Sequence, residues 1–379
     1  MKKVEPNDKN GVRYMGMSCQ SAIDSLPIKL NDSLMFCDLR SCIFDGYDLS
    51  MVEFLGCRLN GTSFQGANLL ETRFIGCFSS DYGPPTDFRD SQFKDVFVVD
   101  CHLNCIPNQK GSNLWHWPTE IADAASGTLS DRNDVRYNAA RKLGALDNPV
   151  VAPILGCLLI DNEWEVRSVS LKVMGELRQR HVEFPHSDKV LMEWMFLCLG
   201  DESAFVRSTA AELVKLLSPS DDILLVSIDR IRANSKEERL AGLRAATELC
   251  RLDAKYSRLL DLQALHTLLS DESPEIRSAT LYLLGILDNP TTIPWIVRAL
   301  SDPVASIRVD ALLAISWLSE PPSASHLTQL LNDPDEQVRI QVLNTLEEIG
   351  DFDPKEVEAA LSDPSPEVRR LAKRLLEGA

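Results

Sequence analysis

Ser301-Asp302-Pro303-Val304-Ala305-Ser306-Ile307-Arg308-Val309-Asp310-Ala311-Leu312-Leu313-Ala314-Ile315-Ser316 decides the reading of two-thirds of this chain. An acid opens a turn, and five residues later a branched aliphatic precedes an arginine inside a helical run. The unit recurs as Asp161 with Val166-Arg167, Asp201 with Val206-Arg207, Asp271 with Ile276-Arg277, Asp333 with Val338-Arg339 and Asp363 with Val368-Arg369. Counting weaker copies, the arginines fall at 136, 167, 207, 239, 277, 308, 339 and 369, in steps of 31, 40, 32, 38, 31, 31 and 30. A period of about 30 to 45 residues with helical patterning signals stacked helix pairs. Such a solenoid presents long surfaces to partners and seldom encloses a catalytic pocket.

Breaks between pairs are written in the sequence. Asp147-Asn148-Pro149 and Asp288-Asn289-Pro290 each end one pair and start the next, because proline cannot continue a helix. The spacing predicts an A helix over about Val150–Leu159 and a B helix over Trp164–Arg178. Ser273-Pro274-Glu275 and Ser365-Pro366-Glu367 offer a capping hydroxyl, proline in the first turn and an acid at the positive end of the dipole. Ala139, Ala140, Ala210, Ala211, Ala279, Gly144, Gly175 and Gly285 are small enough for neighbouring helices to approach closely. Asn234 to Arg239 lacks both the acid and the aliphatic, and irregularity is expected around Gln179–Asp188 and Cys250–Ser257.

The first third has a different period. Leu39, Phe44, Leu49, Phe54, Leu59, Phe64, Leu69 and Phe74 recur every fifth residue with Leu and Phe in strict alternation. Two places earlier stand Cys37, Cys42, Tyr47, Val52, Cys57, Thr62, Ala67 and Thr72. After a break at Ser79–Thr86 the pattern returns as Phe88, Phe93, Val98 and Leu103. A period of five suits neither a helix (3.6) nor a strand (2). It suits a square coil with one inward apolar side chain per face, phenylalanine on one opposed pair of faces and leucine on the other. Twelve registered positions make about three coils.

Ala67-Asn68-Leu69-Leu70-Glu71, with Cys37-Asp38-Leu39-Arg40-Ser41 and Tyr47-Asp48-Leu49-Ser50-Met51 as looser copies, resembles the pentapeptide-repeat family. That resemblance covers about residues 32–105 and implies a right-handed quadrilateral β-helix. The helical units resemble HEAT repeats, in particular the short bacterial HEAT-like repeats also seen in phycobilisome lyases, over about 118–379. Together these imply an α+β multidomain chain: a short right-handed quadrilateral β-helix at 32–110, a junction at 111–117, and an α-α HEAT-like superhelical solenoid of about eight repeats at 118–379. Residues 1–31 show no clean period and are unassigned.

Charge and motifs bound the function. The chain has 379 residues, 56 acidic and 39 basic, for a net charge of -17. Residues 1–110 hold 14 acids and 11 bases, leaving 42 and 28, or -14, in the helical part. This balance argues against direct nucleic-acid or anionic-membrane binding and suits a basic protein partner. No apolar run approaches the ~20 residues of a membrane span. Met1-Lys2-Lys3-Val4-Glu5 has no apolar h-region, and ten scattered cysteines without a CxxC pair read as free thiols, so a cytoplasmic location is expected. GxGxxG, GxxxxGK[ST], HExxH and GxSxG are absent, and the six histidines show no paired spacing. Cys101-His102-Leu103-Asn104-Cys105 lacks a zinc spacing, and small-residue packing accounts for its cysteines as for Cys37, Cys42, Cys57 and Cys77. No catalytic residue, cofactor or metal is therefore expected.

Candidate partner residues are Trp164, which starts a B helix inside an acidic loop, and a ridge of acids at the B-helix starts: Glu163, Glu165, Asp201, Glu202, Asp271, Glu272, Glu275, Asp335, Glu336 and Glu367. Dipole pairing on a solvated edge explains such acids equally. The arginines Arg136, Arg167, Arg207, Arg277, Arg308, Arg339 and Arg369 read as structural, pairing with carboxylates or carbonyls of the adjacent repeat while the acid caps the B helix. Trp115-His116-Trp117-Pro118 reads as a staple at the junction. The leading expectation is a non-enzymatic protein-binding scaffold, specifically a bacterial neutralising or immunity protein against a basic toxin or effector domain. Both repeat families recur beside bacterial polymorphic toxin systems, a point the resemblance alone supplies. The HEAT resemblance also implies a chromophore (bilin) lyase as an alternative. The pentapeptide resemblance implies another, a gyrase-directed DNA mimic, against which the short β-helix counts. Partner identity and oligomeric state are open.

Overall fold

The computed structural model describes residues 3–4, 13–17, 28–108, 116–182, 188–350 and 352–377. The chain forms two compact units, one of residues 1–198 with 203–219, the other of 199–202 with 220–379. The first unit holds the whole β-helix and three helix pairs, so the division falls within the helical part.

The strands are β1 (Lys3–Val4), β2 (Arg13–Met15), β3 (Ser33–Met35), β4 (Glu53–Leu55), β5 (Arg73–Ile75), β6 (Phe78–Ser79), β7 (Thr86–Asp87), β8 (Phe97–Val99), β9 (His102–Leu103) and β10 (Cys105–Ile106). A sheet of order β1-β2-β3-β4-β5-β8 forms one wall, parallel except at β1. Tyr14, Leu34, Phe54, Phe74 and Val98 lie in register along it. The first three steps are 20 residues and the last is 24; the four added residues are taken up in the turn between Phe78 and Thr86. The coil therefore makes about four turns over 33–106 rather than the three expected, and β2 extends the wall into the stretch that shows no period. Tyr14 and Met17 are buried in the same core.

Phenylalanines fill that core in two facing columns. Phe44, Phe64 and Phe88 stack with centroids 5.3 and 5.2 Å apart, and Phe54 stacks on Phe74 at 4.9 Å. The columns meet edge to face, Phe54 to Phe64 at 5.7 Å and Phe64 to Phe74 at 5.8 Å. These are the offset and T-shaped arrangements that aromatic quadrupoles favour. The smaller residues two places earlier do more than fill space. Thr62, Thr72 and Thr86 donate their hydroxyls to the carbonyls of Leu39, Leu49 and Leu59 one coil back, at 2.7–2.8 Å. Cys57, Cys77 and Cys101 donate S–H in the same sense to Leu34, Phe54 and Phe74. Burial pushes the Cys57 and Cys101 thiols up. Cys42 departs from the free-thiol reading: it is disulfide-bonded, whereas the eight other cysteines among the described residues are free.

The helices come in pairs, A then B: α1 (Thr119–Gly127) with α2 (Asn133–Gly144), α3 (Val151–Gly156) with α4 (Trp164–Gln179), α5 (Asp188–Leu197) with α6 (Ala204–Leu217), α7 (Asp221–Ile228) with α8 (Lys236–Leu252), α9 (Leu262–Leu268) with α10 (Pro274–Leu287), α11 (Ile293–Ala299) with α12 (Ala305–Ser316), α13 (Ser325–Thr328) with α14 (Glu336–Ile349), and α15 (Pro354–Glu358) with α16 (Pro366–Glu377). Most A helices are short and tighten into a 3₁₀ turn, such as Cys157–Ile160 after α3, where the A helix was expected to run on to Leu159. The expected irregularity after Cys250 is a 3₁₀ stretch, Ala254–Leu259, while half of that at 179–188 falls outside the described residues. No helix among the described residues is long and apolar enough to cross a membrane.

Within the first unit the β-helix docks on the second helix pair through one corner of its coils. Gly16, Phe36, Gly56 and Gly76 occupy that corner in successive turns, all with positive φ. Pro153 of α3 lies against Gly56 and Gly76, and Phe36 stacks on Trp194 of α5 at 5.6 Å. Cys157 donates its S–H to the Gly56 carbonyl, and burial pushes its pKa up to about 12. A Cβ at Gly56 would sit 2.8 Å from the Phe36 ring and 3.2 Å from Pro153, on a backbone at φ 60°. Gly56→Ala is therefore expected to cost about 1–3 kcal/mol in urea unfolding. A loss below about 0.5 kcal/mol would mean that this corner tolerates a side chain.

Candidate partner-binding surface

The arginines and aspartates of the repeat form an internal ladder. Arg277 sends Nε and Nη2 to both carboxylate oxygens of Asp302 at 2.8 and 3.0 Å, one repeat on. Its Nη1 reaches back to the carbonyl of Asp271 at 2.8 Å. Arg308 does the same with Asp333 and the Asp302 carbonyl, and Arg339 with Asp363 and the Asp333 carbonyl. Arg136 pairs with Asp161 in the first unit, and Arg239 with Asp271 in the second, although its own repeat lacks the motif acid. Arg167 and Arg369 make the same backward carbonyl bonds, to Asp161 and Asp363. Arg207 is half-buried in α6 and engaged with other groups.

The motif acid does not cap the B helix. The cap lies two residues on, at Glu163, Ser203, Ser273, Val304 or Asp335. The acid instead accepts that residue's own N–H: Asp161 from Glu163, Asp271 from Ser273, Asp302 from Val304, Asp333 from Asp335 and Asp363 from Ser365, at 2.8–3.0 Å. Each carboxylate thus ties a loop to its own helix start and to the previous repeat. Burial works to raise the pKa of Asp363, but bonds from Arg339 and the Ser365 N–H hold it below the ordinary carboxylate range. Ser365 caps α16 through its hydroxyl, whereas the Ser273 hydroxyl donates to Glu275.

These bonds sort the acidic ridge. In the second unit, Asp271 belongs to the ladder and offers no free edge. Asp335 caps α14, accepting from the N–H groups of Gln337 and Val338. Exposed Glu275 takes the Ser273 hydroxyl at 2.6 Å and Lys236 at 3.0 Å; Ser273, first among the causes, helps lower its pKa to about 2. Glu336 accepts the Ser365 hydroxyl, Glu367 pairs with Arg370, and Glu272 is exposed at the turn before α10. Asp201 and Glu202, before α6, are engaged with other groups. In the first unit Glu163 and Glu165 are exposed on either side of Trp164.

Trp164 opens α4 and does not fold back onto its own repeat alone. Its ring stacks on Phe205, the second residue of α6, with centroids 4.6 Å apart and planes 21° apart. Trp164 is 37% exposed and Phe205 65%. One turn further on, the Ser168 and Thr209 hydroxyls meet at 3.0 Å, so the two helix starts are tied side by side. Phe205, 41 residues away in sequence, is the partner that single-residue reasoning missed. Its only signal was an apolar residue at a helix start where other repeats are polar or small.

A second group gathers where the β-helix meets α1. Trp117 is buried, stacked on His102 at 5.5 Å and tilted against Phe78 at 5.6 Å, and its indole N–H donates to the Asp100 carbonyl at 2.8 Å. Trp115, the other ring of the expected staple, lies outside the described residues. Asp81, His102 and His116 bring three ligand-type atoms within 4.8 Å of one another, so two of the histidines are paired in space though not in sequence. The hydrogen bonds say what this trio does. The Trp117 backbone N–H donates to His102 Nδ1 at 3.0 Å, which places the neutral ring's proton on Nε2, facing Asp81 Oδ2 at 3.3 Å. A metal-bound histidine donates from its second nitrogen; here that nitrogen accepts. The trio is a hydrogen-bonded junction in which the His102 ring is not arranged as a metal ligand.

Burial pushes the His102 pKa below its ordinary value, with Asp81 acting against it and His116 with it. The unfolded chain then binds the proton more readily than the folded one. The stabilising contribution is full above about pH 6.5 and is lost as pH falls through the lower folded pKa. Protection of the Trp117 amide against hydrogen exchange, corrected for intrinsic rates, should therefore hold above about pH 6.5 and drop as pH is lowered below it. Constant protection would show that His102 is not its acceptor.

The repeats match known families. The model of pentapeptide repeats (eight copies) matches residues 33–69 and 42–78. The model of HEAT repeats matches residues 226–316 and 262–347. No relative matches among curated proteins. Among solved structures the chain is similar to an engineered protein at 15% identity and a TM-score of 0.35, covering 68% of this chain and 78% of that one. It is similar to Kap95p, solved with RanGDP, at 12% identity and a TM-score of 0.45, covering 68% of this chain and 40% of that one. Computationally designed armadillo repeat proteins for modular peptide recognition are similar at 17% identity and a TM-score of 0.37, covering 49% and 98%. The chain thus joins pentapeptide repeats, matched over residues 33–78, to HEAT repeats, matched over residues 226–347.

Proposed function

We propose that this protein is a non-enzymatic scaffold that binds a basic protein, in the role of a neutralising or immunity partner for a bacterial toxin or effector domain. One observation carries the reading. Arg136, Arg167, Arg239, Arg277, Arg308, Arg339 and Arg369 are spent inside the solenoid, on Arg–Asp rungs and loop carbonyls, while Glu163, Glu165, Glu272 and Glu336 remain exposed at the B-helix starts. The net charge of -17 is therefore expressed outward. Acidic surfaces of this kind steer basic partners and discriminate against acidic ones. The cytoplasm is the proposed compartment on the eight free thiols among the described residues; the Cys42 disulfide points elsewhere.

The test is an affinity pull-down from the native host, washed at low and then high salt. One stoichiometric basic protein that releases with salt is the expected result. A bound tetrapyrrole would replace the reading with the lyase alternative, and a gyrase subunit with the DNA-mimic alternative. No partner at either salt would overturn it.

A further inference from the structure

The eight B-helix starts provide an internal comparison. The two residues three and two places before the motif arginine are Asn133-Asp134, Lys236-Glu237, Pro274-Glu275, Ala305-Ser306, Glu336-Gln337 and Pro366-Glu367 in six repeats. All are polar, charged or small. The second and third repeats have Trp164-Glu165 and Ala204-Phe205 instead. The two aromatics occupy different positions of the pair, yet they meet in a stack at 4.6 Å. Neither is needed for the core: Val166 and Val206 fill the inward positions of α4 and α6 and are fully buried, whereas Trp164 and Phe205 stay 37% and 65% exposed. Leaving that much aromatic surface in water costs stability, and exposed aromatics of this kind mark contact sites.

The surroundings say what the pair would contact. An uncharged apolar partner would have to strip water from Glu163 and Glu165, which flank Trp164. A cation over the ring face gains from the aromatic quadrupole and from both carboxylates. These two acids also outweigh the positive helix ends beneath the rings, each worth roughly half a charge. Arginine fits better than lysine, because a planar guanidinium stacks on an aromatic face while its edge bonds a carboxylate. The Ser168–Thr209 contact and the mutual stacking hold the rings in place, so little ordering entropy is lost on binding.

We propose that the Trp164–Phe205 stack is the anchor point for an arginine side chain of the basic partner, held over the rings by Glu163 and Glu165. This rests on the reading of the protein as a binder of basic proteins and names the place and the chemistry.

The experiment uses the full chain and two labelled probes, octa-arginine and octa-lysine, followed by fluorescence anisotropy at low salt. Trp164→Ala, Phe205→Ala and the pair Glu163→Gln/Glu165→Gln are each expected to weaken octa-arginine binding roughly 3- to 30-fold. A preference of wild type for octa-arginine over octa-lysine should collapse in Trp164→Ala. Glu356→Gln/Glu358→Gln, which removes the same charge from exposed positions on α15, should weaken both probes by less than about twofold. Both rings lie outside the core, so unchanged unfolding midpoints are expected, with Phe205→Ala as the milder change. Salt-sensitive binding that Trp164→Ala and Phe205→Ala leave intact would overturn the anchor and spare the basic-partner reading. Failure of both probes to bind wild type would overturn both.

Discussion

Phe64→Ala is expected to destabilise the β-helix by about 3–5 kcal/mol in urea unfolding, the largest single effect in that domain. Phe64 touches every other phenylalanine of the two central columns: Phe44 and Phe88 face to face, Phe54 and Phe74 edge on. It is fully buried, and the coils above and below are fixed by main-chain bonds such as Phe44 N–H to the Ser63 carbonyl and Phe64 N–H to the Asp87 carbonyl. A coil pinned at that spacing cannot collapse onto the void, so nearly the full cavity penalty remains. Phe64→Leu keeps most of the volume and is expected to cost about 1–1.5 kcal/mol plus the lost ring contacts. Trp117 and Trp194, which pack on the outside of the coils, report the transition by fluorescence. A loss under about 1 kcal/mol for Phe64→Ala would mean that the aromatic columns are not what holds the coils.

Arg308→Met is expected to cost a similar 3–5 kcal/mol in the solenoid, for an electrostatic reason. The Asp333 side chain is only 5% exposed and that of Arg308 11%. Removing the guanidinium leaves a buried carboxylate with the Asp335 N–H but no ion-paired partner, and strips the Asp302 carbonyl of its donor. Asp333→Asn should cost less, because the amide oxygen can still accept from Asp335. The double change Arg308→Met/Asp333→Leu removes both charges and should recover part of the loss, giving a coupling energy of about 1–3 kcal/mol. Additive single effects would show that the rung contributes nothing as a pair.

The legible parts were those with a local cause. A residue that must point inward once per face of a square coil repeats every five positions, so Leu39 through Phe74 declare the β-helix. An arginine that must reach the next loop from the first turn of a B helix recurs once per pair, so Arg136 through Arg369 declare the solenoid. The acid was legible as a motif but not in its role. A carboxylate two residues before the cap differs from a cap only in which N–H it meets, and Asp302 meets that of Val304. Tyr14 and Met17 were missed because one isolated strand, 20 residues before Leu34, leaves no run of five-residue steps to count.

By itself the sequence determined the two repeat architectures, their order along the chain, the inward-facing side chains and the excess of acid over base. Each follows from spacing along a single strand or helix, which the backbone imposes on neighbours in the chain. Only the tertiary structure decided that Gly56 and Gly76 form a corner for Pro153, that His102 is oriented by the Trp117 amide and Asp81, and that Trp164 meets Phe205. Those contacts join residues 15 to 97 apart, and which of them meet depends on how coils and helices stack, a long-range packing outcome that no local period encodes.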